Sequence, residues 1–481
     1  MIDTIALRKS IIDLATSGQL SSMCDSDDSI KEILDQLPVV STKRKKLLAQ
    51  EYEFDKLFSI PEHWKWMKLG EIASYGDTPT KVMAIDVPDD TWILELEDIE
   101  AGGKLLVKKR ADSRMSVGEK TVFKKGQVLY SKLRPYLKKV LVADENGIST
   151  PELISFDLYA DINANYIKYC LTNSYVDRVI NKRSYGIKMP RVDVGFMVNL
   201  PIPVPPIQEQ NRIVKVVESI MEEINCIDEE QKKYTNDAEI LTARLIDAGI
   251  QGKLTKQFSE DGNAEDLYEE IRAEKAKLVK GCKIKKEKAL PEITEDAIPF
   301  NIPSNWKWVR LGDISAKISS GNTPAGGKKS NAYVEKGYSF FREQNIYNDG
   351  IHEEGLVYIT GELLKTRENS TVMPMDILLN ITGGSIGRCA LIPDDFTKGS
   401  INQHILIIRM IDPRLRFYIH ACICSPFIQK YIRGNTVGDK DGFSAGRCKN
   451  MLIPLPPYAE QIRIVEKIRE AISCGQIMHL K

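Results

Sequence analysis

The stretch from Pro205 to Leu254 reads PPIQEQNRIVKVVESIMEEINCIDEEQKKYTNDAEILTARLIDAGIQGKL. Apolar residues fall at Ile213, Val217, Ile220, Ile224 and Ile227 and then, after Gln231, at Tyr234, Ala238, Leu241, Leu245 and Ala248. This alternating four-three spacing is a heptad seam, the pattern of a helix made to pack along another helix. Pro205 and Pro206 suit a helix start, where a missing N–H is no loss, and Glu209 sits near the positive end of the dipole. Gly249 and Gly252 offer the stop. A helix of roughly 40 residues is about 60 Å long at 1.5 Å per residue, a rod that few globular folds need in mid-chain.

Around this rod lies a chain of 481 residues, long enough for two or three domains. It is 42% hydrophobic and 28% charged, with 67 basic and 67 acidic residues, so net charge neither points to a polyanionic partner nor excludes one. The charged, amphipathic N-terminus lacks the apolar block of a signal peptide, and no run of 18 apolar residues occurs. Nine scattered cysteines without a CxxC pair, and only five histidines, predict reduced thiols in a cytoplasmic protein with no metal site.

The chain repeats itself. IPEHWKWMKLGEI (Ile60 to Ile72) returns as IPSNWKWVRLGDI (Ile302 to Ile314), and LPIPVPPIQEQNRIV from Leu200 returns as MLIPLPPYAEQIRIV from Met451. A third pair is IDLATSGQL (Ile12 to Leu20) and IDAGIQGKL (Ile246 to Leu254), so the N-terminus resembles the far end of the central helix and the C-terminus its beginning. The unit is roughly 240 residues. Carried across, Ile464, Ile468, Ala471 and Met478 take the places of Ile213, Val217, Ile220 and Ile227, while Gly475 replaces Ile224. Leu7, Ile11 and Leu14 take the places of Leu241, Leu245 and Ala248. The two terminal helices are therefore expected to rebuild, in two pieces, a second rod antiparallel to the first, giving a pseudo-twofold ring of domains and rods. The charged stretches Ser26 to Tyr52 and Asp261 to Lys288 read as a solvated helix and flexible linker, or as a contact to a DNA backbone or partner.

Each half, near Leu57 to Val204 and Phe300 to Leu455, has short apolar runs separated by turn residues, which predicts a strand-rich α+β (mixed α/β) domain. One helix is expected near Asn163 to Val179 and its counterpart near Arg414 to Tyr431. The paired IPEHWKWMKLGEI and IPSNWKWVRLGDI, the loop SSGNTP (Ser319 to Pro324), DILLNITGGSIGRCAL (Asp376 to Leu391), SKLRPYLKKV (Ser131 to Val140), and the paired PPIQEQNRIV and PPYAEQIRIV resemble the specificity subunit of type I restriction-modification systems. The match covers nearly the whole chain.

That resemblance implies two target-recognition domains, each reading half of a bipartite, asymmetric site on double-stranded DNA and held apart by an antiparallel coiled coil. It also implies docking of two methyltransferase subunits and a restriction or translocase subunit. S-adenosylmethionine, ATP and Mg2+ would sit on those partners, with no cofactor in this chain. The expected division is an N-terminal helix (1–20), a linker (21–56), recognition domain 1 (57–204), the central helix (205–254), a charged linker (255–299), recognition domain 2 (300–455) and a C-terminal helix (456–481). The C-terminal rod is shorter than is usual in the family, which a circular rearrangement or a truncated gene would explain. Competing readings are an orphan or phase-variable reader that directs methylation only, and a scaffold that binds no DNA.

No catalytic signature survives inspection. Leu455-Pro456-Pro457-Tyr458 has Leu where an adenine methyltransferase needs Asp or Asn to bond the amino group, and helix initiation accounts for the prolines. GNTPAGGKKS (Gly321 to Ser330) has Gly327 where a phosphate loop needs Lys. His404 and His420 have no Cys or Asp at ligand spacing.

For DNA, Lys104 to Val140 carries twelve Lys or Arg against two acids, an electrostatic footprint for phosphate. Within and beside it the candidates are Lys124, Lys125, Tyr130, Ser131, Lys132, Arg134, Tyr136 and Lys138, then Arg183, Lys188 and Arg191. In the less basic second half, amides and hydroxyls lead: Ser320, Asn322, Thr323, Arg342, Gln344, Asn345, Thr382, Ser385, Arg388, Asn402, Gln403, Arg433, Lys440 and Arg447. Asn and Gln grip adenine bidentately and Arg grips guanine, although turn or capping roles suit the same residues.

Overall fold

The computed structural model describes residues 1–479 apart from 25–26, 115, 185, 187–188, 324–331 and 437–441, and side chains only as far as 473. The chain divides into two compact units, residues 2–231 and residues 232–481 with Met1. No described helix is long and apolar enough to cross a membrane.

The first unit has a five-stranded sheet in the order Lys81–Met83, Glu119–Phe123, Gly147–Ser149, Trp92–Leu94, Lys109–Arg110, and a three-stranded sheet of Val140–Val142, Val128–Ser131 and Leu153–Phe156. The second has the order Tyr333–Val334, Val357–Ile359, Tyr338–Phe341, Gly399–Ile401, Thr371–Val372, beside a four-stranded sheet of Ser315–Ser320, Ile405–Met410, Ile377–Asn380 and Cys389–Leu391. One parallel pairing in each unit, Leu94 with Ser149 and Phe341 with Ile401, fixes the correspondence between them. Antiparallel pairs superpose likewise: Ser131 lies opposite Leu153 as Asn380 lies opposite Ile405. The helix expected near residues 163–179 is two helices, Ala164–Thr172 and Ser174–Arg183, and its counterpart is Arg416–Cys424 and Pro426–Gly434.

The repeated motifs do the same work twice. Trp64 and Trp306 are buried, and each immediately precedes the strand (Lys65–Lys68, Lys307–Arg310) that pairs with the strand before the rod helix (Pro201–Val204, Leu452–Leu455). Gln210 Nε2 donates to Pro205 O at 2.9 Å and Gln461 Nε2 to Pro456 O at 2.8 Å, satisfying a carbonyl beside the helix start. Tyr166 and Tyr418 donate their hydroxyls to Pro203 O and Pro454 O at 2.8 and 2.6 Å.

The central helix runs from Ile207 to Ile250, 44 residues, directly after the two prolines, and Gly252 follows with φ +71. Its first part, through Gln231, belongs to the first unit. There the N-terminal helix (Thr4–Thr16) lies antiparallel to it: Ile2 N donates to Gln231 Oε1 at 2.6 Å, Thr4 Oγ1 to Asp228 at 2.5 Å, and Arg8 to Asp228 and Asn225 at 2.7 and 2.9 Å. Ile213, Val217 and Ile224 are buried, with Ile220 and Ile227 half-buried and Leu7, Ile11 and Leu14 half-buried opposite. In the second unit, Ile246 and Ile250 share a core with Ile464 and Ile468 of the C-terminal helix (Tyr458–His479), and a Cβ on Gly249 would sit 3.0 Å from Ile464. Leu245 is half-buried, but Leu241 departs from the expected seam and is 58% exposed. The Met478 side chain, expected to continue the seam beyond the break that Gly475 makes in it, lies outside the described residues.

The charged stretches are not free linkers. Helix Ala264–Lys280 buries Leu267 and Ile271 on the second core, and Lys275 Nζ donates to Gly312 O at 2.6 Å. In the first unit Arg44, on helix Thr42–Leu48, plays the same part, donating to Gly70 O at 2.9 Å and to Ala73 O and Tyr75 O. Apolar positions three and four apart carried that signal, and counting charges hid it.

Candidate nucleic-acid interface

Most of the basic band in the first unit is neutralised from within. Lys108 pairs with Asp144 at 2.6 Å, Arg110 with Glu145 at 2.8 Å, Lys138 with Asp177 at 2.9 Å, and Lys120 with Glu95. Arg114 forks onto the buried Asp98 at 2.6 and 2.7 Å, Lys109 lies 3.8 Å from the same carboxylate, and Lys139 caps Leu96 O at 2.7 Å. Lys132 and Arg191 flank Glu152 at 3.9 and 2.8 Å, and the Arg191 hydrogen bond above all draws the Glu152 carboxyl below its ordinary pKa. The band is therefore mainly a lattice of ion pairs. Lys104, Lys124, Lys125 and Arg134 remain exposed, with no ion pair among the described residues.

Three expected contacts in this half belong to the protein's own packing. Tyr130 is 2% exposed, its ring edge-on to Tyr75 at 6.3 Å; Ser131 is buried and donates to Leu133 O at 2.8 Å; Lys138 is spent on Asp177. All four residues of Val128–Ser131 are buried, Val128 and Tyr130 on one core and Leu129 on another, so the strand has no outward face, a fact the neighbouring charges obscured. Tyr136 is half exposed, Arg183 is exposed and lies over the Tyr52 ring at 5.9 Å, and Lys188 lies outside the described residues.

In the second unit the candidates gather at the equivalent end. Thr323 Oγ1 donates to Gln403 Oε1, Gln403 Nε2 donates to His404 Nε2 at 3.0 Å, and His404 Nδ1 meets Thr382 Oγ1 at 2.7 Å. An amide nitrogen only donates, so His404 Nε2 accepts and its Nδ1 carries the proton toward Thr382. The chain of bonds fixes the orientation of the exposed Gln403 amide and leaves one of its N–H hydrogens and one oxygen lone pair uncommitted. Arg388 stacks over the Tyr347 ring at 4.4 Å, beside the turn that holds Ser385.

Two amides here are structural instead. Asn345 is fully buried; its Nδ2 donates to His352 O at 2.9 Å and its Oδ1 accepts from Arg342 N, as Asp98 Oδ2 accepts from Glu95 N at 2.8 Å in the first unit. Asn402 is 5% exposed and donates to Glu343 Oε2 at 2.7 Å. Burial, the largest single influence, raises the Glu343 carboxyl, but the Asn402 bond, a backbone N–H and the nearby Arg342 charge together outweigh it and the group ends below its ordinary pKa. Arg342 and Arg447 donate to the backbone oxygens of Gly355 and Asn435. Ser320, Asn322, Gln344 and Arg433 are exposed, and Lys440 lies outside the described residues, as do residues 324–330 of the GNTPAGGKKS segment.

A family model described as the type I restriction modification DNA specificity domain matches residues 61–234 and again 303–480. The chain belongs to that family. Its two matched stretches are the two repeats, so this specificity chain carries the family's domain twice. It is 24% identical to the EcoAI specificity subunit of Escherichia coli, over 98% of this chain and 90% of that one, and 23% identical to the EcoEI specificity subunit of the same species, over 98% and 89%. In fold it is similar to a chain of a type I R-M system solved to describe complex assembly and conformational transition, at TM-score 0.61 and 19% identity, covering 88% of this chain and 93% of that one.

Motif reading passed over Glu152 and Glu343 of this specificity chain and weighed His404 only as a metal ligand. Glu152 and His404 occupy one position, since Lys132 N donates to Glu152 O at 3.1 Å as Ile381 N donates to His404 O at 3.0 Å. One unit thus offers a carboxylate between two cations where the other offers an imidazole between a hydroxyl and an amide. Aligning the halves strand by strand would have exposed the exchange.

Proposed function

We propose that this chain reads a split, asymmetric DNA sequence, one half-site per unit, and supplies no catalytic group of its own. The observation that carries this is a single scaffold built twice with different side chains at equivalent loop positions, Glu152 against His404 and Glu95 against Arg342. Two unlike readers imply two unlike half-sites. The central and terminal helices act as coiled-coil spacers that set the distance between half-sites, a reading supported by the antiparallel N-terminal helix in the first unit and by the core that the central and C-terminal helices share in the second. Two methyltransferase subunits and a restriction or translocase subunit assemble on the chain in the cytoplasm, and S-adenosylmethionine, ATP and Mg2+ act on those partners.

Mapping modified adenines in the host genome with and without the gene tests the reading. The expected result is one split motif that disappears on deletion. An unchanged methylation map, in a host that expresses the chain, would overturn it.

A further inference from the structure

After strand Val128–Ser131 and after strand Ile377–Asn380 the chain makes a 3-10 turn, Pro135–Leu137 in one unit and, one residue earlier in register, Gly383–Ser385 in the other. Because Lys132 aligns with Ile381 through the bonds to Glu152 O and His404 O, Arg134 stands where Gly383 stands and Lys138 where Gly387 stands. All four are left-handed, with φ of 50 and 50 at the cations and 69 and 88 at the glycines. Glycine enters that region freely, whereas a Cβ makes it unfavourable for Arg or Lys. The first unit therefore keeps two costly residues where its own sister shows that glycine works.

Lys138 has an internal reason. Its Nζ meets Asp177 at 2.9 Å and donates to Thr172 O at 3.3 Å, tying the turn to the two helices behind it. Arg134 has none. Its backbone N–H donates to Pro190 O at 2.7 Å, which any residue can do, while its side chain is exposed and has no hydrogen bond, ion pair or ring contact among the described residues. Half-exposed Tyr136 follows two residues on, and exposed Lys104 comes from a loop whose Gly102 N donates to Leu137 O at 3.0 Å. Strain retained at a surface tip with no internal return points to an external partner.

We infer that Arg134 is a base-reading residue of the first unit, its guanidinium fork taking the O6 and N7 edge of a guanine in the half-site that this unit recognises. A contact that only adds positive charge transfers readily to any flexible surface lysine and needs no costly, fixed position. A two-pronged bond to one base does need one. The inference rests on the DNA-specificity role proposed above.

The test selects bound sequences from a random duplex library with the full chain, co-expressed with a methyltransferase subunit, as wild type, R134G and R134N. Both replacements tolerate the left-handed turn, so R134G melts at or above the wild-type temperature; a lower melting temperature would overturn the premise of strain. Wild type enriches a split motif, and both variants lose about tenfold or more of the discrimination for G at one position of one half-site while the other half-site is unchanged. Variants that enrich the same motif with equal or uniformly weakened binding would sink the inference and leave the DNA-specificity role standing. A wild type that enriches no motif would sink that role itself.

Discussion

Trp64 Nε1 donates to Glu209 Oε2 at 3.0 Å, in a site where the carboxylate has no exposure to solvent. His63 Nε2 lies 2.8 Å from the same oxygen, and Ser21 Oγ donates to Oε1 at 2.7 Å. In the other unit Glu460 is held by Trp306 Nε1 at 2.8 Å, Thr255 Oγ1 at 2.8 Å and Gln257 Nε2 at 2.7 Å. One buried carboxylate per unit thus fastens the Trp-Lys-Trp segment and the chain after a left-handed glycine, Gly18 in the first unit and Gly252 in the second, to the first turn of a rod helix.

Glu209→Ala and Glu460→Ala should each cost about 3 kcal/mol, because donors stay buried without an acceptor. Thermal melts of the single variants check this. Trp64→Phe keeps the ring in the core and should cost nearer 1 kcal/mol. Equal losses for the Ala and Phe variants would mean that the hydrogen bonds are incidental to packing.

A second repeated tie responds to acid. Arg212 forks onto Asp27 at 2.5 and 2.6 Å, and Arg463 onto Asp261 at 2.8 and 2.5 Å. The Arg212 hydrogen bond draws the Asp27 carboxyl down from 3.8 to about 2, and Arg463 lowers Asp261 in the same direction. A carboxyl whose pKa is depressed on folding stabilises above its unfolded pKa and loses that contribution as pH falls through its folded one. The melting difference between wild type and Asp27→Asn should therefore be constant above about pH 5 and shrink between pH 4 and pH 2. A difference that does not vary with pH would contradict the ion pair.

Gln403 carries a prediction about recognition. Gln403→Ala removes an exposed amide and should leave the melting temperature nearly unchanged while weakening preference for one base about tenfold. His404→Ala removes what orients that amide and should blur the preference at the same position. Loss at a different position, or in both half-sites, would rule out the Thr323–Gln403–His404–Thr382 chain as the cause.

Glycines of the second unit offer a paired control. A Cβ on Gly321 would lie 2.1 Å from Ile401 O and 2.5 Å from Asn402 O, so Gly321→Ala must move backbone and should cost about 2 kcal/mol or more. Nothing lies within 4 Å of a Cβ on Gly384, and Gly384→Ala should stay within about 0.5 kcal/mol of wild type. Similar melting temperatures for the two variants would show that the loop at Gly321 relaxes.

The duplication was legible because the same residues do the same work in both copies: Trp64 and Trp306, Glu209 and Glu460, Gln210 and Gln461 each meet equivalent partners. The rod helix was legible because prolines, heptads and glycines agree on its limits. The interface was less so, for a definite reason. Counting charge between Lys104 and Val140 cannot see Asp98, Glu152 or Asp177, which lie outside that window and return to it only in the fold. Heptad spacing, likewise, marks a helical face without saying which turn has a neighbour, and Leu241 is exposed on that face. The left-handed turn at Arg134 is a backbone property that side-chain chemistry does not announce.

The boundary at Gln231 and Lys232 falls inside the central helix, with a complete core and a stretch of helix–helix packing on each side of it. In genetic terms that is a safe crossover point. A recombination event in the few codons around it would replace one whole reader together with the helical segment that it packs against, and would divide neither of the two large cores, one drawn from residues 11–221 and the other from residues 246–472. New recognition could thus arise in a single exchange between related genes, with each large core inherited whole.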